Sequence, residues 1–390
     1  MKGGESMTDL REAEAMALMT MARGLGYVRR QHVTEAAGSA LAVVQEPERY
    51  AQLLTKPVLS SLREVMRDAQ RHLDALRRDG IALLIPGGEG YPLRLASISR
   101  PPQVLFVRGQ ASLDDPAAFA VVGTRSATRY GLTHTRRIAR ELAEAGICVV
   151  SGLALGIDAA AHLGALDAGG RTIAVLGSAH DRFYPAENYA LMERILAEGG
   201  SVVTEYPPGK PPTRYSFLER NRIIAGLGLG VLVTEGAQRS GALRTAHDAL
   251  DEGREVFALP GSVESENSAL PHMLIADGAH LAVCGADILR ILAVGANGTD
   301  RKDAGRRKPE IAEPGETAAA QAEAKPAAAM ASGLDEQEQA VYAALRGGEA
   351  DFDVLCDATG IAPDELGALL TMMEMDGHID ALPGLRYRLA

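Results

Sequence analysis

Short apolar runs recur through the middle of the chain, and segments long enough to form a helix separate them. The runs are FAVVG at 119–123, ICVVSG at 147–152, TIAVLG at 172–177, SVVTE at 201–205, GVLVTE at 230–235 and EVFALPG at 255–261. Strands that are apolar on both faces and alternate with helices are typical of a parallel sheet that helices cover on both sides. The pattern therefore predicts an α/β protein whose core, over residues 81–294, is a Rossmann-like parallel sheet.

The N-terminal part of the chain has apolar residues at helical spacing instead. This periodicity runs through Ala15–Ala22 and again through Leu62–Leu76, so residues 1–80 are predicted to form a separate helical domain. Between the two periodic segments, GLGYVRR at 24–30 resembles the turn of a SAM or helix-hairpin-helix domain, whose glycine amides can bind a DNA phosphate. An ordinary connection between two helices has the same pattern, and both interpretations stay open.

Two further segments follow the predicted core. Residues 295–334 are rich in Ala, Pro, Gly and alternating charge and contain almost no large apolar side chains, so they predict a flexible linker. Beyond the linker come three helix-length segments and one hairpin pattern, at 335–347, 352–360, 363–377 and 378–390. Three helices followed by a hairpin predict a C-terminal winged-helix domain over residues 335–390.

The net charge of −11 by itself argues against a nucleic-acid partner, because phosphate binding needs clustered Lys and Arg. Much of this charge lies at the C-terminus, where residues 335–390 contain 12 Asp and Glu but only 3 Lys and Arg. The third helix of the winged-helix domain, 363–377, has four acidic residues and no basic ones. Winged helices often bind DNA, but this charge favours contact with another protein.

Composition and spacing exclude several other classes of protein. The contents of 46% apolar and 23% charged residues are ordinary for a soluble multidomain protein. The cysteines, Cys148, Cys284 and Cys356, lie far apart without CxxC spacing, so we expect a cytoplasmic protein without disulfides. No apolar run of about 18 residues could span a membrane, and the first apolar stretch follows acidic residues, unlike a signal peptide. The histidines have neither HxxxH nor HExxH spacing, and we expect no metal and no cofactor.

Small and hydrogen-bonding residues follow the predicted strands. In an open parallel sheet the ligand site lies outside the carboxyl ends of the strands, where loops lead into helix N-termini. The candidates there are Gly123, Thr124, Arg125, Ser151, Gly152, Ser240 and Gly241. Glycine lets a phosphate approach the backbone, helix-start amides donate hydrogen bonds, and a guanidinium binds an anion through two donors. For Arg125 we favour such a function, whereas the serines could equally belong to ordinary tight turns.

A second candidate segment is RYSFLERNR at 214–222, which follows the proline-rich loop 207–212. Ser216 and Glu219 have the spacing of a capping box, in which each residue satisfies an amide of the other. A helix is therefore predicted to begin at Phe217, directly after the loop.

In that helix Phe217, Arg220 and Asn221 would share one face of the first turn, where the helix dipole also favours an anion. An aromatic ring beside guanidinium groups suits the stacking of bases together with neutralisation of the phosphate backbone. The alternative is that Phe217 is a hydrophobic staple and that the arginines form ion pairs with Glu205 or Glu219. The pattern alone does not separate these two interpretations.

Six motifs of the chain stand in a fixed order: VVGTRSATRYG at 121–131, SGLALGIDAAAH at 151–162, YPAEN at 184–188, FLERNRIIAG at 217–226, RSGALRTAHDA at 239–249 and FALPG at 257–261. In order and spacing they resemble the motifs of the DprA/Smf family of DNA-processing proteins. The likeness is strong over residues 80–290 and weaker at both ends, where RYRLA at the terminus resembles the end of the family's winged helix. Six ordered motifs are far more specific than a single glycine loop.

The resemblance implies a protein that binds and protects incoming single-stranded DNA and has no catalytic activity. It also implies a homodimer that delivers the strand to the RecA recombinase, and displaces single-strand-binding protein, during natural transformation. The family's DNA pocket falls on the GTR turn with Arg125, on Arg214 and Phe217, and on Arg220 and Arg222. Arg214 stands where family members often have Lys, which keeps the charge.

The chain departs from the family pattern in two places. Ala179-His180 replaces a usual Gly and an aliphatic residue, and Leu270 and Met273 replace a usual Gly and Arg. Because Leu adopts a positive φ only at a cost, we expect the loop at 268–274 to be rebuilt and one wall of the pocket to change. His180 is expected to be a surface or hydrogen-bonded residue, because no nucleophile or carboxylate is paired with it.

The strongest alternative function is a nucleotide-binding or nucleotide-cleaving enzyme of the lysine-decarboxylase-like phosphoribohydrolases. Its catalytic carboxylate could be Glu205, Asp158 or Glu235, but the PGGxGT motif of that group is absent from the matching strand. An oxidoreductase that binds a dinucleotide is less favoured, since no GxGxxG follows a predicted strand. A regulator that acts through its winged helix is disfavoured by the acidity of that domain.

Overall fold

The computed structural model describes residues 10–110, 113–115, 117–238, 240–296, 336–361, 363–375, 378–382 and 386–389. The predicted linker, 295–334, lies outside these ranges except for its first two residues. The chain divides into two compact units, Met1–Leu289 and Arg290–Ala390.

Up to residue 296 the helices are α1 (Glu12–Met21), α2 (Tyr27–Ala37), α3 (Ala40–Gln45), α4 (Lys56–Arg67), α5 (Ala69–Arg78), α6 (Leu93–Ala96), α7 (Arg129–Glu144), α8 (Ile157–Asp167), α9 (Tyr189–Ala197), α10 (Arg214–Leu227), α11 (Gly241–Asp251), α12 (Ala269–Ala276) and α13 (Gly285–Ala296). The strands are β1 (Ala82–Leu84), β2 (Leu105–Gly109), β3 (Ala118–Val122), β4 (Cys148–Ser151), β5 (Thr172–Val175), β6 (Ser201–Thr204), β7 (Gly230–Val233), β8 (Glu255–Ala258) and β9 (His280–Leu281). None of the helices in the described ranges has both the length and the hydropathy needed to cross a membrane.

The strands β1–β9 form one sheet in the order β1-β2-β6-β5-β4-β3-β7-β8-β9. All pairs among β3–β9 are parallel, whereas β2 pairs antiparallel with both β1 and β6. The six strands that the apolar runs predicted are therefore confirmed as the parallel core. The strands β1 and β2 on one side and β9 on the other, which the pattern did not predict, extend this core.

Successive residues of one strand enter apolar clusters on opposite faces of the sheet. Ala174 of β5 belongs to a cluster with Leu166 of α8 and Ile195 of α9. The next residue, Val175, belongs to a different cluster that includes Ile223 of α10. Alternate side chains of a strand point to opposite faces, so helices cover both faces of the sheet as predicted. The Rossmann-like fold class is confirmed.

The helices α1–α5 surround an apolar core of their own that also includes Val104 and Phe106 from the sheet edge. Phe106 of β2 is fully buried, so the helical layer packs directly on the sheet. The helix pattern predicted through Leu62–Leu76 is in fact two helices, α4 and α5. They meet at Asp68, which ends the first helix and begins the second. Within the predicted turn at 24–30, Gly26 is the N-cap residue of α2.

The second unit contains helices α14 (Glu336–Leu345), α15 (Phe352–Thr359) and α16 (Pro363–Met375) and strands β10 (Ala350–Asp351), β11 (Ile379–Leu382) and β12 (Arg386–Leu389). These strands form an antiparallel sheet in the order β10-β12-β11. The three predicted helices and the hairpin are confirmed, and the short strand β10 is an addition. The arrangement is that of a winged helix.

Candidate nucleic-acid interface

The loop after β3 carries Gly123, Thr124 and Arg125 and is fixed by backbone hydrogen bonds. The amide of Thr124 donates to the carbonyl of Glu235, at 2.7 Å, and the carbonyl of Thr124 accepts from the amide of Ile157, at 3.2 Å. Thr124 and Gly123 are partly buried, whereas Arg125 is exposed. The turn thus holds the Arg125 guanidinium at the surface on a backbone that is tied to two neighbouring loops.

Helix α10 begins at Arg214, three residues before the predicted start at Phe217. Its N-cap is Thr213, whose hydroxyl accepts a hydrogen bond from the amide of Ser216, while the Ser216 hydroxyl accepts from the amide of Thr213, both at 3.0 Å. The capping box predicted for Ser216 and Glu219 is therefore wrong, because Thr213 provides the same chemistry one turn earlier. Of Arg214 the structure describes only the backbone, at the first position of the helix.

The start of α10 brings Phe217 next to Arg125. The Cζ atom of Arg125 lies 5.0 Å from the centroid of the Phe217 ring, within the range of a cation–π contact. The ring of Tyr184 is 5.8 Å from that of Phe217, with 50° between the planes. A Cβ atom at Gly177 would come within 2.6 Å of the Phe217 ring, so glycine at the end of β5 is what allows the ring to lie there.

The structure thus places the turn that carries Arg125 beside the first turn of α10, which carries Phe217, at one edge of the sheet. It also adds Tyr184, which is 49% exposed and was not among the predicted site residues. The signal for it was present in the YPAEN motif at 184–188, but nothing in the sequence places that loop beside α10. Phe217 is partly buried, whereas Arg125 and Tyr184 are exposed. Because two of the three side chains are open to solvent, we call Arg125, Phe217 and Tyr184 the exposed cluster.

Arg220 has a different role from the predicted one, because only 4% of it is exposed. Its guanidinium donates to the carbonyl of Gly152, at 2.7 Å, and to that of Val175. Burial lowers the pKa of Arg220 to about 10, although the charge of Asp158 favours the protonated form. The predicted placement of Arg220 on an open face with Phe217 is wrong, since the side chain instead joins α10 to the ends of β4 and β5.

Several other predicted residues are engaged within the fold. The hydroxyl of Ser151 is buried and donates to the carbonyl of Val121, at 2.7 Å. Asn221 is also buried, contrary to its predicted position beside Phe217, and its amide donates to the carbonyl of Gly241, at 3.2 Å. Ser240 is the N-cap residue of α11, but its hydroxyl makes no hydrogen bond to the residues that the structure describes. Gly241 opens the same helix and is exposed.

Arg222 forms the ion pair that the sequence left open as an alternative. Its Nη2 atom lies 2.5 Å from Oε2 of Glu205, and the two side chains are 13% and 14% exposed. Burial alone would lower the pKa of Arg222, but the carboxylates of Glu205 and Glu219 raise it above its usual value. Arg222 is therefore held inside the protein, away from the exposed cluster.

The two departures from the family pattern have a structural explanation. The loop predicted at 268–274 is wrong, because this segment lies mostly in helix α12, where Leu270 is fully buried. Met273 of the same helix packs against the main apolar core. His180 is hydrogen-bonded as predicted, with Nε2 3.0 Å from the carbonyl oxygen of Phe106, and burial lowers its pKa to about 4.

Comparison with known proteins bears directly on this arrangement. The family model of DNA recombination-mediator protein A matches residues 82–293, which is more than half of the chain. The chain belongs to this family. A model of the DprA winged helix domain matches residues 324–384. The family predicted from the six motifs is thus confirmed, and with it the winged-helix domain at the C-terminus.

Individual members of the family are similar over much of the chain. A relative from Mycobacterium tuberculosis that carries the name DprA is 40% identical over 84% of this chain and 81% of its own. The structure of DNA processing protein A from Streptococcus pneumoniae has a TM-score of 0.59 at 33% identity and covers 72% of this chain and 98% of that one. That of DNA processing protein A from Helicobacter pylori, determined to show how it binds single-stranded DNA, has a TM-score of 0.50 at 30% identity and covers 55% and 96%.

Proposed function

We propose that this protein binds single-stranded DNA at the carboxyl edge of its sheet, through the exposed cluster. The observation that carries the proposal is the position of the Arg125 guanidinium 5.0 Å from the Phe217 ring. Binding to a single strand combines aromatic faces on which bases stack with cations that neutralise phosphates. The cluster provides both, and the binding of single-stranded DNA by the Helicobacter pylori protein supports the proposal.

Under this proposal the predicted site residues, together with Tyr184, divide into three groups. Arg125 contacts a phosphate, and Phe217 and Tyr184 offer faces to bases. Residues that hold the loops in place are Gly123, Thr124, Ser151, Gly152, Arg220, Asn221 and Arg222. Arg214, Ser240 and Gly241 stand at the first turns of α10 and α11, where backbone amides and the helix dipole favour a phosphate, and they remain candidates for contact.

We also infer the partners of the bound strand from membership of the family. The protein is proposed to act in the cytoplasm as a homodimer that protects incoming DNA and loads RecA onto it, displacing single-strand-binding protein during natural transformation. Two exposed clusters on one dimer would strengthen the binding of a long strand without any new contact, because the second binding event becomes intramolecular.

The proposal includes no catalysis, because the carboxylates that an enzyme would need are already engaged. Glu205 pairs with Arg222. Asp158 is buried and accepts hydrogen bonds from the backbone amides of Gly152 and Ala154, at 3.2 and 3.4 Å. Within the described residues, no group of three or more His, Cys, Asp and Glu side chains is arranged to hold a metal ion. These contacts favour a binding protein over a phosphoribohydrolase.

Titration of the purified protein separates these two functions. Fluorescence anisotropy would follow binding of a labelled oligonucleotide, and calorimetry would follow binding of nucleoside monophosphates, while chromatography detects any released base. We expect saturable binding of the oligonucleotide, much weaker binding of the monophosphates and no base release. Tight binding of a monophosphate, or the appearance of free base, would favour the enzyme instead.

A further inference from the structure

We infer that Glu235 is a positioning residue for Arg125, an inference that rests on the proposed function. Glu235 follows β7 and holds the turn of Arg125 from both sides. Before Arg125, the carbonyl oxygen of Glu235 accepts the amide of Thr124 at 2.7 Å. After it, the Glu235 carboxylate accepts the amide of Thr128 at 2.8 Å and the Thr128 hydroxyl at 2.5 Å. One residue thus fixes the two ends of a five-residue turn that presents the guanidinium.

The residues around the Glu235 carboxylate are packed so that they accommodate it. Glu235 is only 3% exposed, and its side chain lies against the first turn of α7, where the helix dipole favours a negative charge. A Cβ atom at Gly131 of α7 would collide with the carboxylate, so glycine is required at this close approach. In a nucleotide-binding protein of this fold, a phosphate often occupies such a helix start. Here the chain's own carboxylate takes that position.

The middle of the turn is held as well, so that its backbone is fixed while the Arg125 side chain lies exposed against the Phe217 ring. The side-chain amide of Asn267 donates to the carbonyl of Ser126, at 3.0 Å. A rigid turn restricts where the guanidinium can be, so less conformational freedom is lost when it binds a phosphate. In Glu235→Gln only one of the two acceptor oxygens remains, so one hydrogen bond at Thr128 is lost and that restriction is weakened.

The test is a double-mutant cycle in the full-length protein, with oligonucleotide affinity measured at several salt concentrations. Glu235→Gln is expected to reproduce part of the affinity loss of Arg125→Ala and to reduce the salt slope in the same direction. In the Arg125→Ala background, Glu235→Gln should cause no further loss, because no guanidinium is left to position. A purely structural role would lower affinity equally in both backgrounds.

Thr234→Val is the matched control, because it removes a buried hydrogen bond from the adjacent residue, between the hydroxyls of Thr234 and Thr135 at 3.0 Å. It should change the melting temperature without changing the salt slope. If Glu235→Gln does not fold, Thr128→Val removes the hydroxyl that donates to Glu235, together with the cap hydrogen bond that this hydroxyl accepts from the amide of Gly131 at 3.2 Å. Its loss of affinity should also vanish in the Arg125→Ala background.

Two results would overturn the inference while leaving the proposed function intact. One is a folded Glu235→Gln variant with the affinity and salt slope of the wild type. The other is an affinity loss in the double variant equal to the sum of the two single losses. If Arg125→Ala itself binds like the wild type, the proposed function fails, and the role of Glu235 falls with it.

Discussion

Among the basic side chains near the carboxyl edge of the sheet, exposure to solvent decides which can contact a phosphate. Arg125 is exposed on its turn, whereas Arg220 is 4% exposed and engaged with two carbonyl groups. Arg222 is paired with Glu205 in the interior. A guanidinium that already satisfies buried partners would leave them unpaired if it turned to a ligand, at a cost of several kcal/mol. We therefore propose a phosphate-binding role for Arg125 alone among these three.

A second prediction at the scale of single residues concerns Phe217. If bases stack on its ring, Phe217→Ala should weaken oligonucleotide binding by roughly 1 to 3 kcal/mol and leave the salt slope nearly unchanged, because stacking releases no counterion. Affinity at several salt concentrations, together with the melting temperature, measures both effects. A variant with wild-type affinity per folded molecule but a lower melting temperature would show that Phe217 is only a hydrophobic staple.

The roles of Arg220 and Arg222 could not be predicted from their positions in the sequence. The carbonyl partners of Arg220 lie 68 and 45 residues away along the chain, at Gly152 and Val175, and only the packed sheet brings them together. The ion pair of Arg222 with Glu205 was one of two interpretations that the sequence left open. It could be proposed because Glu205 is close to Arg222 in sequence. Local patterns identified the residue types of the site, whereas burial decided their roles.

At the scale of elements, the sequence predicted the main parallel strands correctly but misplaced the start of one helix and missed two antiparallel strands. The strands β3–β8 were predicted because each is a continuous apolar run with its own boundary residues. The start of α10 was misplaced because two capping patterns overlap, one from Thr213 to Ser216 and one from Ser216 to Glu219. The strands β1 and β2 also have apolar runs, IALLI at 81–85 and VLFV at 104–107, but they were missed because they pair antiparallel and precede the regular alternation of strands and helices.

The ion pair between α10 and the end of β6 gives a prediction about elements. Arg222→Ala leaves the buried carboxylate of Glu205 without its counter-charge, so the free energy of unfolding should fall by about 3 kcal/mol. Urea denaturation measures this change, with Arg182→Ala as a control, since the Arg182 side chain is 60% exposed. Unchanged stability of Arg222→Ala together with a reduced salt slope of DNA binding would mean that Arg222 contacts DNA after all.

At the scale of the whole molecule, the charge is unevenly divided between the core and the C-terminus. Residues 335–390 hold 12 acidic and 3 basic residues, so they repel a phosphate backbone. Deletion of residues 300–390 should therefore leave the affinity for single-stranded DNA largely intact, which anisotropy titration of the truncated protein measures. Circular dichroism must show that the remaining core is folded. Loss of most binding in a folded truncation would instead assign the affinity to the winged-helix domain.

The measurement that tests the account most directly is the salt dependence of oligonucleotide binding by the wild type and by Arg125→Ala. If Arg125 neutralises one phosphate, the substitution should lower affinity equally on every base sequence. It should also reduce the slope of log affinity against log salt concentration by about 0.7, the value for one contact on a single strand. An unchanged affinity and slope in a folded Arg125→Ala variant would contradict the assignment of DNA binding to this edge of the sheet.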